Sequence, residues 1–217
     1  MKTKKGRANA LLLLCVFLFI ACGKDEEDDY FYPSLITEFV ELLSDETGLG
    51  TSFTTDGGET YAANTPLQGL QPESVYRIVC GYEPTGDNRD GLPVARIYTV
   101  DNVTLLQPME EPSADDEPTG VAAIWPGGGY LNLQLTPETQ GGTQSWGYRV
   151  DSVRPASEGR QTFHLSLYHR QPGDPYSYST TVYASLPLFQ LEGFQEGDSL
   201  TFTTLTFDGR KTWRLCP

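Results

Sequence analysis

Apolar and polar side chains alternate with a period of two over long stretches of the chain. Between residues 130 and 135, leucines alternate with Asn132 and Gln134, and the same alternation recurs over residues 146–150 and 163–168. This period is typical of antiparallel strands with one buried and one exposed face. No segment shows a convincing period of 3.6 residues, which a helix facing a core would need. The pattern therefore predicts an all-β protein.

The first half of the chain contains five strand-like segments separated by turn residues. They cover residues 34–43, 51–55, 60–63, 75–82 and 94–106. Asp56-Gly57-Gly58 predicts a hairpin turn, and we expect a turn-rich loop over residues 83–92. Five strands in so short a segment favour a small barrel over residues 30–108 rather than a sandwich.

The second half predicts a different β architecture. Strand-like segments cover residues 130–135, 146–150, 163–168, 180–186, 200–207 and 212–215. Gly127-Gly128-Gly129 and Asp208-Gly209 are expected to form turns. Six or seven strands with turns between them are typical of an antiparallel β-sandwich, here over residues 119–217. Residues 109–118, rich in proline and acidic side chains, are predicted to be a linker between two domains.

The N-terminus has the pattern of a secretory signal peptide. Four basic residues precede an uncharged run over residues 10–21, which is too short to span a membrane. Ala21-Cys22 ends this run and resembles the lipobox of bacterial lipoproteins, which implies cleavage after residue 21 and lipidation of Cys22. The alternative is ordinary secretion with an incidental cysteine. More than one acyl chain on Cys22 would anchor the protein stably in a membrane.

An acidic segment follows the cysteine. Residues 22–29 contain Lys24 and then five consecutive acidic residues, which predicts a solvated tether. Lys24, Asp25 and Glu26 resemble the export signal of surface lipoproteins in Bacteroidetes. This resemblance implies an outer-membrane protein that faces the cell exterior. The alternative is an acidic spacer without an addressing role.

The charge balance restricts the partners. The chain carries 15 Lys and Arg against 29 Asp and Glu, a net charge of −14. Loss of residues 1–21 would change the net charge to −18, because that segment carries only positive charges. Nucleic acid is therefore an unfavourable partner, since it is bound mainly through Lys and Arg. Cys80 and Cys216 would remain, and we expect two separate thiols with Cys80 as a small core residue. The alternative is a disulfide between them, which an exported chain permits.

The sequence carries no recognisable catalytic motif. It lacks a Gly-x-Ser-x-Gly elbow, a P-loop and a His-Glu-x-x-His motif. His164 and His169 are five residues apart and are expected on opposite faces of a strand, where they could not share a metal ion. Asp87-Asn88-Arg89-Asp90-Gly91 resembles a calcium loop only in part, and a hairpin turn is the better interpretation. We therefore expect no enzyme activity, no bound metal and no cofactor.

Four short motifs resemble one bacterial family. They cover residues 55–58 (Thr-Asp-Gly-Gly), 76–78 (Tyr-Arg-Ile), 124–133 (Ile-Trp-Pro-Gly-Gly-Gly-Tyr-Leu-Asn-Leu) and 167–174 (Leu-Tyr-His-Arg-Gln-Pro-Gly-Asp). Together with the candidate lipobox they resemble the NigD-like lipoproteins of Bacteroidetes. This resemblance implies an N-terminal OB-like domain and a C-terminal β-sandwich, and it implies architecture and location more than chemistry.

The sequence therefore favours a lipid-anchored envelope protein that acts as a non-enzymatic binding module for an unidentified protein or glycan. The family's namesake locus suggests a bacteriocin-related immunity or accessory protein as one alternative. Exposed aromatic clusters at residues 30–32 and at Tyr176 and Tyr178 suggest a glycan-binding accessory protein as another. A hydrolase is a third alternative. Trp125, Trp146 and Trp213 are expected in the core.

Overall fold

The computed structural model describes residues 34–110 and 116–217, and these residues are almost entirely β. The strands are β1 Ile36–Ser44, β2 Gly50–Thr55, β3 Thr60–Leu67, β4 Val75–Arg89, β5 Leu92–Leu105, β6 Gln107–Pro108, β7 Gly120–Gly127, β8 Tyr130–Thr136, β9 Glu138–Thr139, β10 Ser145–Pro155, β11 Gln161–Arg170, β12 Tyr178–Ser179, β13 Val182–Pro187, β14 Ser199–Thr206 and β15 Gly209–Leu215. The prediction of an all-β protein is confirmed. Cys22, Lys24, Asp25, Glu26 and residues 30–32 lie outside the described residues.

Strands β1 to β5 hydrogen-bond in the order β3-β2-β1-β4-β5, and a short parallel pairing also links β3 to β5. Their shared core contains Val40, Phe53, Tyr61, Ile78 and Tyr82, among other residues. The ring of Phe53 contacts those of Tyr61 and Tyr82 at centroid distances of 5.4 and 4.9 Å. The five strands that the sequence predicts in this half are therefore present.

The predicted loop over residues 83–92 is wrong. Strand β4 continues to Arg89 and β5 begins at Leu92, so only Asp90 and Gly91 form the turn. Both residues have positive φ, 52° and 84°, as in the two-residue turns favoured in hairpins. Pairing of Asn88 and Arg89 with the start of β5 overrides their weak strand propensity.

The sheet continues from the first half of the chain into the second. Strand β5 pairs with β4 at one edge and with β13 at the other, which gives the order β3-β2-β1-β4-β5-β13-β8-β7. Residues 35–217 form one compact unit. The division into domains at residues 109–118 remains a prediction, since the ability of each half to fold alone is a separate property.

The second half has its core between two sheets. The strands β15-β14-β11-β10-β6 form a five-stranded sheet opposite β13, β8 and β7. Leucines 131, 133 and 135 pack between these sheets against Phe163, Leu165 and Phe202. The alternation noted in residues 130–135 therefore places the leucines in the core. Strand β7, which lacks a simple alternation, was not predicted; its pairing with β8 shifts register between Val121 and Ala123.

The two described cysteines occupy different environments. Cys80 is a free thiol buried in the first core, as predicted, and burial raises its pKa to about 12. Cys216 is free and exposed. The tryptophans expected in the core are half-buried: Trp146 packs against the second core, and Trp125 lies against the first half of the chain. No helix among the described residues has the length and hydrophobicity needed to span a membrane.

Candidate binding site

A buried ion pair of the first half is hydrogen-bonded to the second half of the chain. Arg77 on β4 has a side chain that is 2% exposed, and its guanidinium lies 2.7 and 2.8 Å from the two carboxylate oxygens of Asp56, in the turn between β2 and β3. Arg77 Nη2 also donates to Asn132 Oδ1 on β8 at 3.0 Å. Asn132 Nδ2 in turn donates to Asp56 at 2.8 Å, and the hydroxyl of Ser185 on β13 donates to Asn132 Oδ1 at 2.7 Å. The charge is buried together with its hydrogen-bonding partners, as a buried ion pair requires.

Two aromatic rings complete the surroundings of Arg77. Its Cζ lies 4.2 Å from the ring centroid of Tyr130 and 5.4 Å from that of Phe39. Tyr130 also donates from its hydroxyl to Glu41 at 2.6 Å, so it contacts two residues of the first half. Burial and this hydrogen bond raise the pKa of Tyr130 to about 12. We call Asp56, Arg77, Asn132, Ser185 and Tyr130 the clasp.

The glycine-rich turn between β7 and β8 packs directly on the clasp. A Cβ on Gly128 would lie 2.3 Å from Asp56 Oδ1, and one on Gly127 would lie 2.7 Å from Oδ2. Gly128 also has a φ of 60°, which side chains disfavour. The predicted turn is confirmed, and the close approach to Asp56 explains why glycine is needed at residues 127 and 128. Asp56, Arg77 and this turn come from three of the four motifs quoted from the sequence.

Beside the clasp, the two halves enclose a cleft with aromatic walls. Phe39 lies at its base, 4% exposed, and contacts the rings of Trp125 on β7 and Tyr183 on β13 edge to face, at centroid distances of 5.3 and 5.7 Å. The cleft has a volume of about 360 Å³. Its remaining lining comes from Thr37, Glu38, Asp56, Val79 and Gln134. Neither half forms this cleft alone.

The polar groups of the cleft are mostly neutral and available. The Thr37 hydroxyl, the Gln134 amide, the Tyr183 hydroxyl and the Trp125 indole N–H make no hydrogen bond with the described residues. Asp56 is neutralised by Arg77, and Glu38 accepts a hydrogen bond of 2.6 Å from Tyr82. Available donors and acceptors beside aromatic rings are the lining expected of a site for a polar ligand with an apolar face.

Comparison with known proteins identifies the family. The family model of the NigD-like C-terminal beta sandwich domain matches residues 102–216. The chain belongs to the NigD-like family. The match begins inside β5, close to where β5 pairs with β13. A search of curated proteins gives no match.

Solved structures agree with this assignment. A NigD-like immunity protein from Bacteroides caccae is 26% identical, with a TM-score of 0.62 over 85% of this chain and 93% of that one. A protein of unknown function from Bacteroides vulgatus shares the fold at 14% identity, with a TM-score of 0.65 over 85% and 91% of the two chains. A candidate lipoprotein from Bacteroides fragilis does so at 11% identity, with a TM-score of 0.58 over 84% and 97%.

The fourth motif of this NigD-like chain fastens the end of the predicted linker to the sandwich. The backbone of Glu117 donates to the carbonyl of His169 at 2.9 Å, and His169 Nδ1 lies 3.1 Å from the Glu117 carbonyl, to which it must donate. The imidazole is 1% exposed and stacks on Trp146 at 3.8 Å. Nearby, Asp116 pairs with Arg149 on β10. Burial lowers the pKa of His169, so the ring is neutral at neutral pH.

The two histidines lie on opposite faces of β11, as the odd spacing predicts. His169 stacks on Trp146, which packs against the core, whereas His164 faces outward beside Thr162 and Thr201. Tyr176 and Tyr178 are exposed, also as expected, at 50% and 56%. They lie outside the cleft lining, so the aromatic surface suggested by the sequence differs from the one that the fold builds.

Neither the clasp nor the cleft was predicted as a site from the sequence. One signal for the clasp was present, because Arg77 is the one charged residue in the otherwise apolar run over residues 75–82. A charge there must either face solvent or find a buried partner. Nothing in the sequence indicated that the partner is Asp56, or that Phe39, Trp125 and Tyr183 meet.

Proposed function

We propose that this NigD-like protein is a lipoprotein of the cell envelope, anchored through Cys22, that acts as a non-enzymatic binding module. The cleft between the two halves is its recognition surface. The observation that carries this proposal is the combination of three aromatic rings with unpartnered neutral polar groups in one cleft. The volume of this cleft, about 360 Å³, lies in the range of small-molecule and monosaccharide sites.

The chemistry of the cleft favours a neutral sugar of a glycan as the ligand. Sugar rings present C–H groups on one face, which pack on aromatic rings, and hydroxyls at their edges, which exchange hydrogen bonds with amides and hydroxyls. Trp125, Tyr183 and Gln134 offer these two kinds of contact. A glycan-binding accessory protein is therefore the function that the cleft supports best.

An immunity or accessory role against a bacteriocin is the second candidate. It is favoured by the similarity to the NigD-like immunity protein from Bacteroides caccae, which is 26% identical. Such a role would need a protein partner. A cleft accessible only to small groups would then be incidental to the interface.

Binding to an array of neutral oligosaccharides tests the ligand class. The full chain, purified in nonionic detergent, is expected to bind a subset of glycans, and Trp125→Ala should weaken that binding at least about tenfold through loss of a stacked ring. Tyr176→Ala is the matched control, because it removes an exposed aromatic ring outside the cleft. Equal binding by both variants would contradict a site in the cleft.

Hydrolysis tests the non-enzymatic part of the proposal. Any glycan that binds is incubated with the protein and its reducing ends are counted. We expect no release. If glycan hydrolysis is seen and Glu38→Gln or Asp56→Asn abolishes it, the chain is a hydrolase.

Anchoring and display are tested in cells. Cys22→Ala should abolish incorporation of a labelled fatty acid, and persistent labelling would contradict the anchor. The acidic run supports a surface location, and the fold shared with the candidate lipoprotein from Bacteroides fragilis supports the lipid anchor. Protease added to intact cells should cleave the protein while a periplasmic control survives. Neutral residues in place of Lys24, Asp25 and Glu26 should protect it.

A further inference from the structure

The outer face of the five-stranded sheet carries a second depression, separate from the cleft. It has a volume of about 500 Å³ and is lined by Arg154, His164 and Arg214 and by the hydroxyls of Thr162, Ser199 and Thr201, among other groups. The inner face of the same strands packs into the core through Phe163, Leu165 and Phe202. The lining polar side chains therefore belong to the opposite, solvent-facing side of the sheet.

Strand register explains how these residues come together. His164 on β11 pairs with Thr201 on β14, which pairs with Arg214 on β15. One row further along, Arg154 on β10 pairs with Thr162, which pairs with Ser199. Residues paired across neighbouring strands point to the same face of the sheet, and so do residues two positions apart on one strand. Both sets of paired residues therefore lie on the outer face. We call this set the basic face.

The arginines lie on opposite sides of the basic face. Strands β10 and β15 are separated by β11 and β14, which places Arg154 and Arg214 roughly 14 Å apart across the sheet at about 4.8 Å per strand. Two arginine side chains can converge from this separation on a small group above β11 and β14. His164 and the hydroxyls form the floor beneath it.

The charged groups of the basic face are available for a ligand. Arg154, His164 and Arg214 form no hydrogen bond or ion pair with the described residues, whereas the floor hydroxyls of Thr162 and Ser199 bond to each other at 2.8 Å. No carboxylate lines the depression, although the chain has 29 acidic residues and a net charge of −14. Asp151, which accepts a hydrogen bond of 3.0 Å from Ser166, lies outside the lining.

We infer that the basic face binds a tetrahedral oxyanion, a phosphate or sulfate monoester. Guanidinium groups match the geometry and charge of such anions, and hydroxyls donate to the remaining oxygens. A phosphate monoester carries close to two negative charges at neutral pH and matches two arginines better than a sulfate monoester does. The inference does not depend on the function proposed for the cleft.

Calorimetric titration tests this site on the full chain in nonionic detergent, at constant low ionic strength. Phenyl phosphate and phenyl sulfate are the probes, and phenyl β-glucoside is the neutral analogue. We expect binding of the anions with phenyl phosphate the tighter, and no binding of the glucoside at this face. Arg154→Gln and Arg214→Gln should each weaken anion binding at least about tenfold.

A charge-matched pair of variants separates a site from general electrostatic attraction. Arg210→Gln with Lys211→Gln removes two positive charges from β15, outside the lining of the depression. This pair should leave anion affinity within about twofold, whereas Arg154→Gln with Arg214→Gln should abolish measurable binding. Thermal unfolding of each variant verifies that it is folded.

Three results would overturn the inference. The first is that neither anion produces heat of binding. The second is that the Arg210→Gln, Lys211→Gln variant loses as much anion affinity as the Arg154→Gln, Arg214→Gln variant. The third is that the folded Arg154→Gln, Arg214→Gln variant still binds the anions. The anion that binds more tightly identifies the kind of ester. Tighter binding of phenyl sulfate would reassign the ligand to sulfate esters within the same oxyanion class.

Discussion

Two buried ion pairs hold this chain together at different places, and they differ in how many polar contacts each carboxylate makes with the described residues. The Asp56–Arg77 pair lies within the first half, beside two aromatic rings, and contacts the second half through hydrogen bonds with Asn132. The Asp116–Arg149 pair fastens the end of the predicted linker to the sandwich. Asp56 contacts Arg77 through both carboxylate oxygens and also accepts a hydrogen bond from Asn132. Asp116, which is 3% exposed, pairs with Arg149 through Oδ2. Oδ1 of neither aspartate makes a hydrogen bond with the described residues.

The difference indicates separate roles. A buried ion pair contributes little net stability compared with apolar packing, but loss of one partner leaves an uncompensated charge. In the clasp the partners of Arg77 come from the β2–β3 turn, β8 and β13, so the pair helps to set how the two halves meet beside the cleft. Asp116 itself follows residues outside the described range, and its pair with Arg149 on β10 fastens this segment to the sandwich.

Arg77→Ala should have the largest effect. It leaves the half-buried Asp56 beside Gly127 and Gly128 without its cation, and we expect a loss of about 3–5 kcal/mol in the free energy of unfolding. Urea denaturation measures it. A loss below about 1 kcal/mol would mean that water replaces the guanidinium and that the clasp is not a structural joint.

Asp116→Ala should have a smaller effect, about 1–3 kcal/mol, because Arg149 keeps the ring of Tyr168 beside its guanidinium at 5.6 Å. The cleft should be unaffected, so ligand binding that depends on Trp125 should persist. A double-mutant cycle between Arg77→Ala and Asp116→Ala checks the separation of the two regions, because independent sites give additive losses. Strong coupling between them would contradict two separate roles.

Gly128→Ala tests the close approach of the turn to the clasp. A Cβ at residue 128 meets Asp56 Oδ1 at 2.3 Å, and the expected cost is about 1–3 kcal/mol. Gly129→Ala is the matched control, since Gly129 also has positive φ but a Cβ added there would meet no atom within 4 Å. That control should cost only about 1 kcal/mol. Equal losses would show that backbone strain alone accounts for the effect.

The smallest effect concerns pH. Burial lowers the pKa of His169 in the folded state below its ordinary value of 6.5, although Glu117 and Asp116 act in the opposite direction. The stabilisation by the neutral ring is therefore complete above about pH 6.5, the usual value for histidine, and declines as pH falls below it. His169→Gln should flatten the unfolding free energy between about pH 7 and pH 5. An unchanged slope would assign the pH dependence to other groups.

Part of the fold could be predicted from the sequence because it depends on residues close together along the chain. The period of two over residues 130–135 and the glycines at 127–129 predicted a strand and a turn that the structure contains. The prediction of a loop over residues 83–92 was wrong because the conformation there depends on pairing with another strand. Its turn-forming residues carry a local preference that pairing with β5 overrides.

The sequence by itself determined the β architecture, the core leucines, the charge balance and the NigD-like motifs. Only the tertiary structure decided that the sheet continues from β5 to β13, that Arg77 finds Asp56 and Asn132, and that Phe39 meets Trp125 and Tyr183. Strand patterns are set by neighbours along the chain. The clasp and the cleft depend on residues as many as 144 positions apart, Phe39 and Tyr183, which only strand pairing brings into contact.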